Sequence, residues 1–518
     1  MFSPLFRTFG HISNFYQHTD MKKSLLFISA IIMLLNPTLS AQTADERIGN
    51  AMNNADWFEL EKQYNSLPKD SISPFLEVFS RALIGNRLNR PDVSIPAFGE
   101  LLADYSDYLG VDNAVSSSMM YAMDLSRTGH SDVAADLISA IHAATEQYLD
   151  SATSTRLRNM TDQYKALSAY KTNQVSFNTQ GKIATFSFQI DTNIGPADKP
   201  AAAMMLDNCI VNGKKAGIMF DTGAGANIIS DSLAMAYDMI PLDVPVTVSG
   251  MGMASGHIAI AKEIRLGEIT VTDVPFYVIP VKSGHEEADK YMKHLKLVIG
   301  SDIMLALKDL TIDFSSNTIS VPTAAGERDG TPSNMCFSSG MNLLTKASVA
   351  GLPALMNIDT GDGSDGILSD MFYNRNKEFV TEAKGTPDSL RMAGIGGWSK
   401  LNGYKLTDIP LSLAGNTVSL PSIFVSEDHS MLSDNIDGNI GLATLLKFRK
   451  LRFDMVNMRL STEPYPADLQ GLNPDCLHMP AFDYIHKPEA SPYQMVGALL
   501  FGIAKYMIYP YSPDNIDL

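Results

Sequence analysis

Apolar residues recur with two different periods along this chain. From about Ala44 to Tyr170 they fall three, four and seven apart: "FLEVFSRAL" spaces Phe75, Leu76, Phe79 and Leu83 in this way, and "SDVAADLISAI" does the same with Val133, Leu137 and Ile141. That spacing marks one face of an α-helix, and Ser131 stands where an N-cap is expected. "NRPD" and "RTGHSD" punctuate the segment, so short antiparallel helices are predicted. Near Gln174 the period changes to two. "VSFNTQGKIATFSFQI" alternates as a half-buried strand does, and Asn212-Gly213 is a two-residue hairpin turn. From there to about Thr462, short strands and Gly, Pro and Asn turns follow one another, which predicts a β region.

The β region repeats itself in register. "GIMFDTGAGANIISDSL" begins at Gly217, and "LMNIDTGDGSDGILSDMF" begins at Leu355. Gly213 lies eight residues before Asp221, and Gly351 lies eight before Asp359. "NIISDSL" is echoed by "GILSDMF" with one residue inserted. "VIGSDIMLALKDLTIDF" is echoed by "NIGLATLLKFRKLRFDM", with 13 residues from Gly300 to Asp313 and 13 from Gly441 to Asp454. Asp221 to Gly300 is 79 residues and Asp359 to Gly441 is 82. Landmarks that keep order and spacing in this way predict two similar β lobes.

Composition bounds the rest. At 518 residues, with 45% hydrophobic and 19% charged, the chain is globular and large enough for two or three domains. A net charge of −17 argues against nucleic acid or an anionic membrane surface as the main partner. "MKKSLLFISAIIMLLNPTLSAQ", Met21 to Gln42, has two lysines, an apolar stretch and small residues near Ala41, the layout of a secretory signal peptide. Asn36 and Pro37 cut its apolar run short of the roughly 20 residues that a spanning helix needs. The expected location is therefore periplasmic or secreted, with no transmembrane anchor in the mature chain. Cys209, Cys336 and Cys476 allow at most one disulfide, so the fold is not disulfide-built. In the tail, "YQMVGALLFGIAKYMIYPY" (Tyr493 to Tyr511) is apolar but interrupted by Lys505, and is read as a buried terminal helix or strand, with membrane-surface contact or docking on the helical domain as the alternative.

The residues around the two Asp-Thr-Gly triplets resemble those of the pepsin-like aspartic proteases, above all a retropepsin-like form with both lobes fused in one chain. Asp221-Thr222-Gly223 and Asp359-Thr360-Gly361 carry the resemblance, supported by Val298-Ile299-Gly300 and Asn439-Ile440-Gly441. The 138 residues between the two aspartates suit compact lobes like those of the retroviral enzymes. The resemblance implies a mostly β, bilobal aspartic-protease (acid protease) fold, preceded here by an α-helical domain that loosely resembles tetratricopeptide (TPR-like) hairpins. The expected boundaries are a leader at 1–41 with the signal peptide at 21–41, a helical domain at 42–172, lobes at 173–328 and 329–463, and a tail at 464–518.

What the resemblance implies chemically is a catalytic pair, Asp221 and Asp359, with Thr222, Gly223, Ala224, Thr360, Gly361 and Asp362 supporting the loops. Two carboxyls brought that close cannot both ionise, so they share a proton and titrate as a unit. The ionised member takes a proton from water while its partner polarises the scissile carbonyl. Glycine-rich hairpins follow each motif: "VSGMGMASGHIAIA" with Gly250, Met251 and Gly252, and "MAGIGGWSKLNGYKL" with Gly396, Gly397 and Trp398. They stand where flaps over a peptide substrate belong, and neither has the Tyr of a pepsin flap. Trp398 either covers substrate or anchors the turn in a core.

Two positions depart from the pattern. Asp362 replaces a small or hydroxyl residue, where it would raise the pair's pKa, point to solvent or mark a degenerate lobe. Asn439 replaces an apolar residue in the element behind the loop. Asp302 matches a polar position common in retropepsins, while Ala443 occupies its counterpart. The three-residue spacing of Asp359, Asp362 and Asp365 is not that of a calcium loop, so no metal and no cofactor are expected. The ten histidines form no HExxH, and neither a dinucleotide loop nor a G-x-S-x-G elbow occurs. The expected function is an aspartic endopeptidase acting on peptides or proteins, with a possible protein partner at the helical domain. The alternative is a catalytically inactive binding module that keeps the fold.

Overall fold

The computed structural model describes residues 42–194, 201–293, 297–429, 436–466 and 494–495. Residues 1–41, where a leader is expected, and most of 464–518, including Cys476 and the apolar Tyr493–Tyr511 stretch apart from Gln494 and Met495, lie outside the described residues. The chain separates into two compact units, one ending at Ala169 and one spanning Tyr170–Lys505.

The first unit is helical from residue 44 to 167, and each helix packs on its neighbour in sequence. The chain starts and stops these helices locally. Thr43 and Glu46 form a reciprocal capping box on Ala44–Asn53, while Asp56 and Asp150 cap Trp57–Ser66 and Ser151–Leu167 through their side chains. Phe79, Leu83 and Ile141 are fully buried, as the spacing predicts, whereas Phe75 and Leu76 are half-buried. Ser131 is not the cap expected of it. It is already the first residue of helix Ser131–Thr145, His130 precedes it, and its hydroxyl turns to Ser126 Oγ at 2.9 Å. Gly85 lets helix Pro74–Arg87 approach Ser94 so closely that a Cβ would sit 2.7 Å from the Ser94 Cβ. Beneath this crossing, buried Asp124 accepts from Asn86 Nδ2 (3.0 Å), Arg127 Nε (2.9 Å) and Ser94 Oγ, so the buried charge is paired and bonded. Among the described residues no helix is long and apolar enough to cross a membrane.

The second unit is largely β, built as one 13-stranded and one 9-stranded sheet over a continuous apolar core that runs from Ala184 to Tyr465. Asn212 and Gly213 make the predicted turn between strands Ala201–Val211 and Lys214–Phe220, both with positive φ (48° and 79°), which Asn and Gly tolerate best. Cys209 and Cys336 are buried, and neither forms a disulfide among the described residues.

The pairing scheme around the first Asp-Thr-Gly recurs around the second. Lys214–Phe220 lies parallel to Leu297–Ile299, and Leu352–Asp359 lies parallel to Gly438–Gly441. Ile228–Ile229 runs antiparallel to the former buttress and parallel to Ile269–Val278; Gly366–Leu368 does the same with Gly438–Gly441 and Asn416–Ser426. A short helix follows each, Asp231–Ala236 and Asp370–Arg375. The halves then join in one sheet, where Asp309–Asp313 pairs antiparallel with Phe448–Asp454. The register there sets Asp309 against Asp454 and Asp313 against Lys450, so equivalent positions of the repeat exchange across the joint.

Candidate active site

Each aspartate ends a buried strand whose neighbour holds the following loop by its backbone. Asp221 N–H donates to Ile299 O at 3.0 Å, and Ser301 N–H donates to Ala224 O at 2.9 Å. Asn227, fully buried, accepts from Gly300 N–H (3.1 Å) and donates to Pro275 O (3.2 Å), so a side chain clamps this loop to its buttress. In the second half the equivalent position is Gly366, and Gly441 N–H instead donates to the Asp365 carbonyl at 3.3 Å. The residue inserted in the second motif supplies that carbonyl.

The two loops bind each other reciprocally. Thr222 Oγ1 donates to Ile358 O (2.8 Å) and accepts from Thr360 N–H (3.1 Å); Thr360 Oγ1 donates to Phe220 O (2.7 Å) and accepts from Thr222 N–H (3.1 Å). Gly223 and Ala224 N–H both donate to Asp221 Oδ1, at 2.9 and 3.1 Å, and Gly361 and Asp362 N–H both donate to Asp359 Oδ1, at 2.8 and 2.9 Å. The glycines are dictated by closeness. A Cβ on Gly223 would lie 2.5 Å from Asp359 Cγ, and one on Gly361 would lie 2.5 Å from Asp221 Cγ.

Both aspartates are completely buried and face each other. Asp221 Oδ2 meets no N–H or hydroxyl donor among the described residues, so the protein's available donor to it is a proton on Asp359. Burial pushes both carboxyls well above the ordinary carboxylate range. The charge of Asp362 raises both further, and Asp221 also raises Asp359. The backbone N–H groups lower Asp221, and the Asn439 amide lowers Asp359.

Of the outcomes open for Asp362, solvent exposure is excluded: it is fully buried. Its Oδ1 accepts from Ser364 N–H at 2.9 Å, and its Oδ2 accepts from Asn439 Nδ2 at 3.0 Å. The same nitrogen donates to Asp359 Oδ2 at 3.1 Å, and Asn439 Oδ1 accepts from Asn357 Nδ2 at 2.8 Å. The two departures from the sequence pattern thus belong to one bonded group. Asp365 is lifted to about 6, mainly by burial, with Lys447 opposing. Among the described residues no cluster of three or more His, Cys, Asp or Glu is arranged to hold a metal ion.

The glycine-rich hairpins, Ile240–Ser249 with Met253–Leu266 and Thr386–Gly394 with Gly397–Leu413, meet at their tips. Gly252 N–H donates to Ile395 O at 3.2 Å, Gly250 N–H to Gly252 O at 2.7 Å and Gly396 N–H to Lys282 O at 2.9 Å. A Cβ on Gly397 would lie 2.7 Å from Met251 O. Trp398 is 46% exposed, with its ring 4.7 Å from that of His285, so it does not anchor the turn in a core. Asp302 keeps part of its surface in solvent, but protein atoms crowd its carboxyl and burial lifts it to about 7. Its counterpart Ala443 is buried.

Sequence reasoning did not single out Asn227, Asn342 or Asn357. Asn342 Nδ2 reaches Gly223 O at 2.5 Å from the other half of the β unit. Polar residues in otherwise apolar strand starts, as in "GMNLLT" and "GANII", were the available signal.

Compared with known proteins, residues 208–303 match the family model of an aspartyl protease. The match spans Asp221, the first glycine-rich hairpin and Gly300, and supports an aspartic protease family for this part of the chain. No curated protein matches.

Proposed function

We propose that the chain is an aspartic endopeptidase whose Asp221 and Asp359 activate water between two fused lobes, roughly 173–328 and 329–463. The observation that carries this is the reciprocal bonding of Thr222 and Thr360, which brings two buried carboxyls face to face with their glycines packed against the opposite aspartate. A pair so held keeps one proton. The ionised member accepts a proton from water and the protonated member donates to the scissile carbonyl oxygen; as the tetrahedral gem-diol collapses, the proton taken from water passes to the leaving amine and a gem-diol hydroxyl gives one back to the other carboxylate, restoring the shared proton. The meeting tips supply a cover whose backbone groups suit an extended peptide, and their glycines permit the opening that substrate entry requires.

The inactive-module reading drew its support from Asp362 and Asn439. Their mutual bonding, and the donor that Asn439 gives Asp359, favour an operating pair instead. On the leader's layout the protein works in the periplasm or outside the cell, and the helical unit, which resembles tetratricopeptide hairpins, serves as support or as a docking arm for a protein partner. The deciding experiment is peptide-library cleavage by the mature protein from pH 3 to 8, beside Asp221→Asn and Asp359→Asn. The proposal expects cleavage by the wild type and none by either variant. A folded Asp221→Asn protein that cleaves at the wild-type rate overturns it.

A further inference from the structure

The repeat provides an internal control for the second loop. Where the first half has Ala224, Met219 and Val298, all buried and apolar or small, the second has Asp362, Asn357 and Asn439, all equally buried. Met219 pairs with Val298 across parallel strands, and Asn357 pairs with Asn439 at the same place. The first loop closes and binds its aspartate through the same two N–H groups without any of the polar trio, so the trio is not required to build the loop. It also carries a cost, since buried Asn357 Oδ1 has no hydrogen-bond partner among the described residues. The trio's hydrogen bond to the pair goes to Asp359, while the charge of Asp362 bears on both aspartates.

We propose that Asp362, held by Asn439, is a positioning carboxylate that fixes Asp359 as the proton-bearing member of the pair and sets the pH range over which the pair works. This rests on the endopeptidase reading. The geometry gives the direction. A side-chain amide nitrogen has two hydrogens and accepts nothing, so Asn439 Nδ2 points one at Asp359 Oδ2 and one at Asp362 Oδ2. Asp359 Oδ1 is already occupied by two N–H donors. Oδ2 takes the single Asn439 donor, the Asp221 carboxyl meets the same Asp359 side chain, and Asp221 Oδ2, which finds no other donor among the described residues, can accept the shared proton. The negative charge of Asp362 favours keeping that proton on the adjacent carboxyl. Among the described residues, the charged groups at this centre include Asp221 from the opposite loop and Asp362 beside it; Asp362 in turn acts on Asp365, which Lys447 opposes. Asp359 is then the group that polarises the carbonyl, and Asp221 the base toward water.

The test compares Asp362→Asn, which keeps shape and removes charge, and Asp362→Ala, which restores the first-half residue, with the wild type. The readouts are kcat and KM across pH 4 to 9, and a carboxyl-carbon NMR titration of protein labelled at the aspartate side chains, with Asp359→Asn to identify the signal. Both Asp362 variants are expected to move the alkaline limb of kcat/KM, and the Asp359 titration, to lower pH by roughly one unit or more. Superimposable profiles and an unmoved Asp359 titration overturn the inference, as does a loss of kcat that is equal at every pH. Absence of any wild-type cleavage instead overturns the endopeptidase reading, and the NMR titration then decides the role of Asp362 by itself.

Discussion

Replacing Thr222 by Val keeps the side chain's shape and removes only the hydroxyl that ties the two loops. That hydroxyl makes two buried bonds, to Ile358 O at 2.8 Å and from Thr360 N–H at 3.1 Å. Without it the Thr360 N–H is left buried with no partner, at a cost of about 1–3 kcal/mol, and Ile358 O loses one partner, at about 0.5–1.5 kcal/mol. Together these predict destabilisation of about 1.5–4.5 kcal/mol. Thr222→Ser keeps both bonds and loses one buried methyl, for which about 0.5–1.5 kcal/mol is expected. The chain has two tryptophans, Trp57 in the helical unit and Trp398 in the β unit, so a Trp57→Phe background makes the fluorescence report the β unit alone. Urea unfolding in that background, at unchanged m-value, reads each difference directly. Thr360→Val removes the two mirror-image bonds and should cost the same as Thr222→Val. If valine proves no more harmful than serine at position 222, the cross-loop hydroxyl does not hold the joint and the reasoning fails.

Two further outcomes follow from the geometry. Gly361→Ala places a Cβ about where the Asp221 carboxyl stands, 2.5 Å from its Cγ, and the aspartates must move apart. Peptide cleavage should fall by roughly 100-fold or more while the protein remains folded by circular dichroism; wild-type kcat in that variant would refute the close approach. Asp302 has a folded-state pKa of about 7, above the ordinary 3.8, so the folded protein binds its proton more tightly than the unfolded chain. Its contribution is therefore greatest at low pH and is lost as pH rises from about 4 to about 7. Asp302→Asn should flatten that part of the pH–stability curve and be relatively more stable at pH 8 than at pH 4. Parallel curves for wild type and variant would show that burial does not raise this group.

Much of the site could be read in the sequence because its parts are local. A strand, an Asp-Thr-Gly turn and a Ser-Asp helix start each lie within about twenty residues, and the Asn212-Gly213 turn needs only its own two residues. What escaped was set by partners distant in sequence. Asn342 bonds Gly223 across 119 positions, and the joint sheet pairs Asp309 with Asp454. Asn439 and Asp362 were visible as departures, but an Asn in an apolar slot reads as a defect until its acceptors, 77 and 80 positions away, are known. Ser131 erred for a smaller reason: a nearby serine hydroxyl competed for the bond that a cap would have made.

The joint between Asp309–Asp313 and Phe448–Asp454 exchanges equivalent positions, as two identical subunits would across a symmetry axis. In a homodimer every substitution appears on both sides of such an axis, so a buried acid beside one aspartate would stand beside the other as well. Tethering the halves removes that obligation. A third carboxylate can then be placed once, on one flank, and the molecule can give two chemically identical side chains different duties without a second gene product to do so.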